Sequence, residues 1–381
     1  MKKTEHRFAE TLTELGRVGS SWTKNFVAHF DWTLLITVFA ICGIGLANLY
    51  SATEGTAHSG KFDSQLVWVG LGMVVLLGVG YIDYRGLLRI VWPSLLITIV
   101  VLAAMRLFSE ADDLGVRRWL RLGPFRIQPS ELAKLVVILG VARFFQSVSD
   151  GELKPRWRVL AAVGIVAPVI LVAAQPDLGT AVLIGLLIAS VSLCCMKKLW
   201  PFFALFLPGL FVMAPVLWSR MHDYQKRRVL SFLDPTADPL GSGWQTQQSI
   251  VAVGSGRITG KGYMEATQNQ FNFLPEYWTD FPFSVFSEEW GFLGSVGLLG
   301  LMAWLVLWIL HVALNARDTF GTAISLGVAA MVFWHVVINT SMVLGLAPVV
   351  GLTFPLISYG GSSLLTFMVG LALVSSISSR S

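Results

Sequence analysis

The sequence predicts an all-α polytopic membrane protein, and three observations carry that prediction. Hydrophobic residues make up 54% of the chain. Charged residues make up 13%, against about 25% in a soluble domain. Apolar runs of the length that a bilayer core demands of a helix, about 20 residues, recur from end to end. They fall at Trp32–Tyr50, Ser64–Tyr81, Leu88–Leu107, Ser130–Gln146, Trp157–Ala174, Leu178–Met196, Trp200–Ser219, Val285–Ala313, Thr319–Leu346 and Ile357–Ile377. About ten transmembrane helices follow, with a large extracytoplasmic loop over residues 219–284, between helices 7 and 8. No room is left for a soluble domain of ordinary size. Residues 31–381 read as one transmembrane domain, preceded by a cytoplasmic N-terminal tail over residues 1–30.

That tail mixes Lys, Arg and Glu with Phe8, Leu12, Leu15, Trp22 and Phe26, which suits a helix lying on the inner leaflet or a disordered segment. The first apolar run is long enough to span and lacks a cleavage site, so no signal peptide is expected. Basic residues set the orientation. With the N-terminus cytoplasmic, the inside segments carry Lys2, Lys3, Arg7, Arg17, Lys24, Arg85, Arg89, Arg143, Lys154, Arg156, Arg158, Lys197, Lys198, Arg317 and Arg380. The outer turns near Pro176 and Pro348 have none, and the one near Ser59 has only Lys61. Both termini are therefore expected inside. The inside excess accounts for the net charge of +5, and no nucleic-acid partner is needed. Cys42, Cys194 and Cys195 lie in or at the ends of spans, as small apolar fillers and not as a disulfide or metal framework.

One outer connection breaks the rule. It holds Arg106, Arg117, Arg118, Arg121 and Arg126 within a short loop. Guanidinium groups at an outer membrane face suit phosphate oxygens, which their planar fork binds two at a time. Lipid headgroups or solvent would also satisfy them. Next comes Gln128-Pro129-Ser130-Glu131-Leu132-Ala133-Lys134. Pro129 suits the first turn of a helix, and Glu131 complements its dipole. Lys134 lies one turn inside an apolar helix, where a charge costs about 2.5–3.5 kcal/mol. Glu131 and Lys134 are spaced to pair on one face. The pair either faces the bundle as a structural ion pair or, as favoured for intramembrane charges, lines a polar cavity open to the outside.

The remaining polar positions follow in order. Asp177 is placed to N-cap the sixth span. Pro168, Pro208 and Pro215 should kink their spans. His335 reads as a satisfied packing residue, and Asn339 and Thr340 as hydrogen-bonding groups between helices. The last outer loop, Thr353 to Ser363, brings a Gly pair and several hydroxyls to the mouth of the final span, either as a tight turn with helix capping or as a hydroxyl-lined sugar site. No nucleotide-binding glycine motif and no internal repeat is present.

The strongest candidate for chemistry closes the long outer loop: Phe271-Asn272-Phe273-Leu274-Pro275-Glu276-Tyr277-Trp278-Thr279-Asp280-Phe281. An isolated carboxylate among aromatic residues, where a chain re-enters lipid, is costly to desolvate and marks a functional position. An exposed Asp has a pKa near 3.9, so partial desolvation is what would make Asp280 an effective base. With an arginine cluster, one such base suffices for sugar transfer from a lipid pyrophosphate. The leaving group needs only cations, and a single displacement inverts the anomeric centre.

The chain also resembles the SEDS family (shape, elongation, division and sporulation) from about Trp32 to Ser378, and its elongation members more than its division members. The residues that carry the likeness are Arg126-Ile127-Gln128-Pro129-Ser130-Glu131-Leu132-Ala133-Lys134, Gln175-Pro176-Asp177-Leu178-Gly179-Thr180, Arg228-Val229-Leu230-Ser231-Phe232-Leu233-Asp234-Pro235, Phe273–Phe281 and Ile357-Ser358-Tyr359-Gly360-Gly361-Ser362-Ser363. The resemblance implies a peptidoglycan glycosyltransferase that polymerises lipid II on the outer face of the bacterial cytoplasmic (inner) membrane. A class B penicillin-binding protein is implied as transpeptidase partner, with other elongation-complex membrane proteins. Asp280 is then the catalytic residue. The candidate substrate-binding set is Trp119, Arg121, Arg126, Gln128, Ser130, Glu131, Lys134, Thr279, Ser358, Tyr359 and Ser362. A divalent cation, magnesium or manganese, also comes with the resemblance, and the sequence offers no ligand cluster for it. Two departures stand out. Trp278 occupies a place where the family commonly has His, and Thr353-Phe354-Pro355-Leu356 replaces a Pro-Leu-Pro-Phe. A transporter that flips the same lipid, or a non-catalytic scaffold for a transpeptidase, are the competing readings. A flippase places its essential charges at mid-bilayer, not at the outer surface.

Overall fold

The computed structural model describes residues 30–56, 58–108, 119–122, 125–196, 200, 218–219, 221, 223–234, 242–270 and 273–381. Helices α1 (Trp32–Thr53) and α2 (Gly60–Tyr81) lead through a 3-10 turn at Tyr84–Arg89 to α3 (Val91–Phe108). A hairpin of β1 (Leu120–Leu122) and β2 (Phe125–Ile127) precedes α4 (Pro129–Ser149), α5 (Pro155–Ala173) and α6 (Leu178–Cys195). Three shorter helices, α7 (Asp223–Leu233), α8 (Ser242–Ser255) and α9 (Thr267–Gln270), occupy the long loop. The chain ends with α10 (Pro282–Asn315), α11 (Thr319–Val343) and α12 (Gly361–Ser378).

Among the described residues, eight helices are long and apolar enough to cross a membrane, and α3 contributes a shorter apolar stretch, Val91–Met105. This is a multi-pass membrane protein. The expected span at Trp200–Ser219 and the N-terminal tail lie almost wholly outside the described residues, as do Pro208 and Pro215. Pro168 sits inside α5 without ending it. The hairpin is the one departure from an all-helical expectation among the described residues. It pairs Arg121 with Arg126 across its two strands.

Burial sorts the helices into layers. In α12 and α11 the most apolar stretch is 67% and 56% buried, against 17% in α5 and 22% in α2. Sequences apolar on all sides tolerate either place, because lipid is as apolar as a core. Helix α11 forms the centre, packed against α4, α6, α10 and α12, while α12 also packs along α2. Asp31 caps α1 at Leu34 N (3.0 Å), and its second oxygen accepts from Trp308 Nε1 and Ser378 Oγ, both at 2.8 Å. One carboxylate thus joins three helices at one end of the bundle.

The predicted span Val285–Ala313 is longer than expected and is not one helix. Its 34 residues would extend about 51 Å, well beyond a hydrocarbon core of about 30 Å. Gly291, at φ 63° and ψ −162°, breaks it into two pieces. A side chain is strained at such a φ, and a Cβ there would also collide with the Gly260 backbone. The break frees backbone groups on both sides, and the loop before α9 satisfies them. Lys261 N and Gly262 N donate to Glu288 O and Glu289 O (3.0 and 3.1 Å), while Phe292 N and Leu293 N donate to Arg257 O and Ile258 O (2.9 and 3.1 Å). Irregular backbone beside a bilayer is tolerated only where protein supplies such partners.

Candidate active site

The turn that carries Asp280 is built by its own backbone. Glu276 adopts a left-handed φ of 52°, a conformation that persists in a non-glycine residue only where neighbours over-determine it. Here its carbonyl accepts from both Thr279 N (3.1 Å) and Asp280 N (3.0 Å). Thr279 Oγ1 donates to the same residue, 3.3 Å from its carbonyl and 3.2 Å from Oε2. Leu274, Tyr277 and Phe281 are buried, so the aromatic residues pin the turn at both ends. Pro282 opens α10 directly after it.

Three consecutive carbonyls of this turn are held by other parts of the molecule. Tyr359 N donates to Trp278 O (2.8 Å), Ser358 Oγ to Thr279 O (2.6 Å) and Asn339 Nδ2 to Asp280 O (2.9 Å). Asn339, on α11, also donates to Leu352 O (2.7 Å). Its expected role between helices is therefore one between a helix and two outer loops. The Ser358–Gly360 segment is fixed in turn by Gln65 of α2, whose amide donates to Ser358 O and accepts from Gly360 N, each at 3.2 Å. The carboxylate of half-buried Asp280 lies over Gly351. A Cβ on that glycine would stand 3.6 Å from Oδ2, at a φ of 71°. Arg228 Nη1 donates to Val349 O (3.2 Å) two residues earlier, and so anchors the strip under Asp280.

These contacts correct part of the expected substrate-binding set. Ser358 is buried, and its hydroxyl is engaged with Thr279 O and with Phe354 N (2.7 Å). Ser363 shares a hydrogen bond with Thr353 Oγ1 (2.8 Å). At these two positions the last loop is a tight turn that supports Asp280, not an open row of hydroxyls. Tyr359 and Ser362 remain partly exposed.

Lys134 departs further from expectation. Its ammonium has no solvent exposure and donates to both oxygens of Glu131 (2.8 Å each), with His335 Nε2 at 3.1 Å. An ammonium only donates, so Nε2 accepts and the imidazole proton sits on Nδ1, 2.8 Å from Met331 O. His335 is satisfied as expected, and Lys134 is what satisfies it. The outward-open cavity expected around Glu131 and Lys134 is replaced by a closed triad joining α4 to α11. Burial forces this arrangement, since a charge left unpaired in such a place costs several kcal/mol. Ser130 is also buried, and its hydroxyl has no partner among the described residues. Gln128 Nε2 donates to Asp177 Oδ2 (3.3 Å), and Asp177 Oδ1 caps α6 at Thr180 N (3.2 Å). Trp119 is 41% exposed beside the hairpin. The side chains of Arg121 and Arg126 lie outside the described residues, as do Arg117 and Arg118.

The sequence reading missed a cation at this site. Lys61, noted only as the single basic residue of its outer turn, places Nζ 3.1 Å from the Trp278 ring centroid and 6.0 Å from that of Tyr359. His58 also packs against Trp278, with ring centroids 4.3 Å apart and the planes tilted by 52°. An ammonium held over an indole gains about 0.5–2 kcal/mol. No local sequence signal links residues 58, 61 and 278. Among the described residues, no group of three or more His, Cys, Asp or Glu stands together to hold a metal ion.

Comparison with known proteins identifies the family and the fold. A sequence profile described as a cell cycle protein, the FtsW, RodA and SpoVE family, covers residues 31–381. Peptidoglycan glycosyltransferase MrdB of Escherichia coli (strain K12) is 38% identical over 364 residues, spanning 93% of this chain and 94% of its own. Stage V sporulation protein E of Bacillus subtilis (strain 168) is 34% identical over 360 residues, 91% and 96% of the two chains. A chain in a solved structure described as the structural coordination of polymerization and crosslinking by a peptidoglycan synthase complex superposes with a TM-score of 0.75 at 32% identity, covering 92% of this chain and 97% of that one. Rod shape determining protein RodA of Thermus thermophilus superposes with a TM-score of 0.67 at 29% identity, covering 92% and 96%.

Proposed function

Because the chain belongs to the FtsW, RodA and SpoVE family of cell cycle proteins, we propose that it is a peptidoglycan glycosyltransferase that polymerises lipid II into glycan strands during cell elongation. The observation that carries the site is the triple anchoring of Trp278, Thr279 and Asp280 by Tyr359, Ser358 and Asn339. It holds one half-buried carboxylate in a set direction at a helix end, which is what a positioned general base requires.

In the proposed reaction Asp280 takes the proton of the acceptor sugar hydroxyl. That oxygen bonds to the anomeric carbon of the donor from the face opposite its phosphate. The bond from the anomeric carbon to the phosphate oxygen breaks, and the lipid pyrophosphate leaves with the electron pair, so configuration inverts. The negative charge calls for cations. Lys61 is the described candidate, and Arg121 and Arg126 of the hairpin complete the set. Trp119, Thr279, Tyr359 and Ser362 are proposed to contact the sugar or pyrophosphate, with Gln128, Ser130, Glu131 and Lys134 supporting them from beneath. A magnesium or manganese ion remains part of the proposal as a companion of the pyrophosphate, since such ions are commonly held by one or two carboxylates and substrate phosphates. The proton transfer described above depends on side chains alone.

The site is proposed to face the outside of the bacterial cytoplasmic membrane, with both termini inside. The basic residues of the inner segments support that orientation. A class B penicillin-binding protein is the proposed transpeptidase partner, alongside other membrane proteins of the elongation machinery. The relative described as part of a synthase complex coordinating polymerization with crosslinking supports it. The enclosure of Lys134 favours catalysis over lipid transport, because a transporter would open its intramembrane charges to a passing headgroup. The test is purified protein with its transpeptidase, given labelled lipid II and scored for glycan polymer. Polymer is expected from the wild type and about 10²–10⁴-fold less from Asp280→Asn; normal polymer from that variant removes Asp280 from the mechanism.

A further inference from the structure

Eight residues beyond Asp280, the first piece of α10 carries a carboxylate for which the reaction described so far has no use. Glu288 is fully buried. Its Oε1 accepts from Thr267 N (2.9 Å), Thr267 Oγ1 (2.8 Å) and Lys261 Nζ, and its Oε2 from Gln268 N (3.4 Å). Gln268 O then accepts from Phe273 N (3.0 Å) and Leu274 N (3.2 Å), the residues that lead into the Asp280 turn. On its other side Glu288 is continuous with Asp280 through the helix that starts at Pro282. One carboxylate therefore ties the chain before Asp280 to the chain after it. The segment from Gln268 to Glu288 is closed into a loop whose tip holds Trp278, Thr279 and Asp280.

We propose that Glu288 is a positioning residue for Asp280, acting through the backbone of Thr267 and Gln268 and without touching substrate. The inference rests on the reading of Asp280 as the base. The chemistry at 288 demands a carboxylate. Four donors converge on two oxygens, one of them an ammonium, and such charge-assisted bonds are the strong ones. An amide at that place would offer one acceptor atom and turn an NH2 group toward donors. The Gly291 break acts in the same direction. It frees the carbonyls of Glu288 and Glu289 to bind Lys261 N and Gly262 N, so main chain and side chain of residue 288 hold the same strap. The buried neighbour Glu289 serves a different contact, accepting from Ser51 Oγ of α1.

The experiment uses the full-length protein with its transpeptidase, labelled lipid II as substrate, and hydrogen–deuterium exchange on the same preparations. In Glu288→Gln, kcat is expected to fall about 10- to 100-fold, the cost of a misplaced catalytic group, while KM stays within about two-fold. Backbone amides of residues 273–280 are expected to exchange faster, with the spans unchanged. Thr267→Val, which deletes one donor to Glu288 and the hydroxyl that accepts from Lys261 Nζ (2.9 Å), is expected to show the same two changes more weakly. A loss expressed in KM, or unchanged exchange at 273–280 in Glu288→Gln, overturns the inference. Should Glu288→Gln not fold, Thr267→Val decides alone, and wild-type kcat and exchange there overturn it. Absence of polymer from the wild type would sink the glycosyltransferase reading instead, and exchange would still judge the positioning.

Discussion

Asp318 and Asp280 stand just before helices at opposite ends of the bundle, and the protein uses them in opposite ways. Helix α11 separates them. It begins next to Asp318 and reaches Asn339, which binds Asp280 O, about 30 Å further on at 1.5 Å per residue. At Asp318 the hydrogen bonds go to the carboxylate. Oδ1 caps Gly321 N (2.7 Å), and Oδ2 accepts from Tyr84 Oη (2.8 Å) and Arg85 Nε (3.0 Å). Around Asp280 the bonds that fix the turn go to main chain, to the carbonyls of residues 278, 279 and 280. The first arrangement spends an acid on holding two connections together. The second holds a backbone so that an acid is aimed.

The sharpest way to break this comparison is to neutralise each acid in turn. Asp280→Asn is expected to lower polymer formation by about 10²–10⁴-fold, with the unfolding midpoint unchanged. Asp318→Asn should do the reverse, costing about 1–3 kcal/mol of stability and leaving the activity of the folded fraction intact. Stability loss at 280, or lost turnover at 318, would merge the two roles.

Gly351→Val tests whether the direction of the Asp280 carboxylate matters as much as its charge. A branched side chain at φ 71° and within contact of Oδ2 displaces the acid, and kcat is expected to drop about 10²-fold in the polymer assay. A smaller effect is expected from Ser358→Ala. It deletes one of three carbonyl anchors and leaves Phe354 N without its acceptor. The expected cost is about 1–2 kcal/mol of stability, with polymer formation reduced several-fold. Wild-type behaviour of Ser358→Ala would return that hydroxyl to the substrate-binding set.

The smallest effect expected is the pH dependence that the Asp318 end contributes. Burial alone would raise the Asp318 pKa, but the Gly321 N–H, the Tyr84 hydroxyl and Arg85 outweigh it and hold the carboxyl below its ordinary 3.8. The Tyr84 phenol is pushed up from 10.0 to about 12, by burial first and then by Asp318. A depressed carboxyl contributes stability above its ordinary pKa and loses it as pH falls through the lower folded value. A raised phenol contributes below pH 10.0 and loses it as pH climbs through about 12. The contribution of this pair to thermal stability should therefore be flat across neutral pH and decline at both extremes. Asp318→Asn should remove the acid-side decline and Tyr84→Phe the alkaline one.

Legibility differed between the two ends for a physical reason. The spans, the Asp177 cap and the Glu131–Lys134 spacing are local patterns, so the sequence shows them without knowledge of neighbours. Asp280 stands out as a candidate because an isolated carboxylate among Tyr277, Trp278 and Phe281 is improbable at a membrane boundary for any bland reason. Whether Glu131 and Lys134 face a cavity or the bundle depends on α11, and His335 on that helix decides for the bundle. Similarly, Ser358 reads equally well as sugar ligand or as turn support until Thr279 O is found against it.

Composition and hydropathy alone thus determined a multi-pass helical protein and the segment where chemistry was to be sought. Both follow from the cost of placing polar groups in lipid, which each stretch of chain meets on its own. The folded bundle alone decided that Lys61 lies on Trp278, that Gly291 splits α10 to admit the 257–262 strap, and that Asn339 grips Asp280 from a helix 59 residues away in sequence. Those are contacts between distant segments, set by which helix faces pack together, and no local run of residues encodes them.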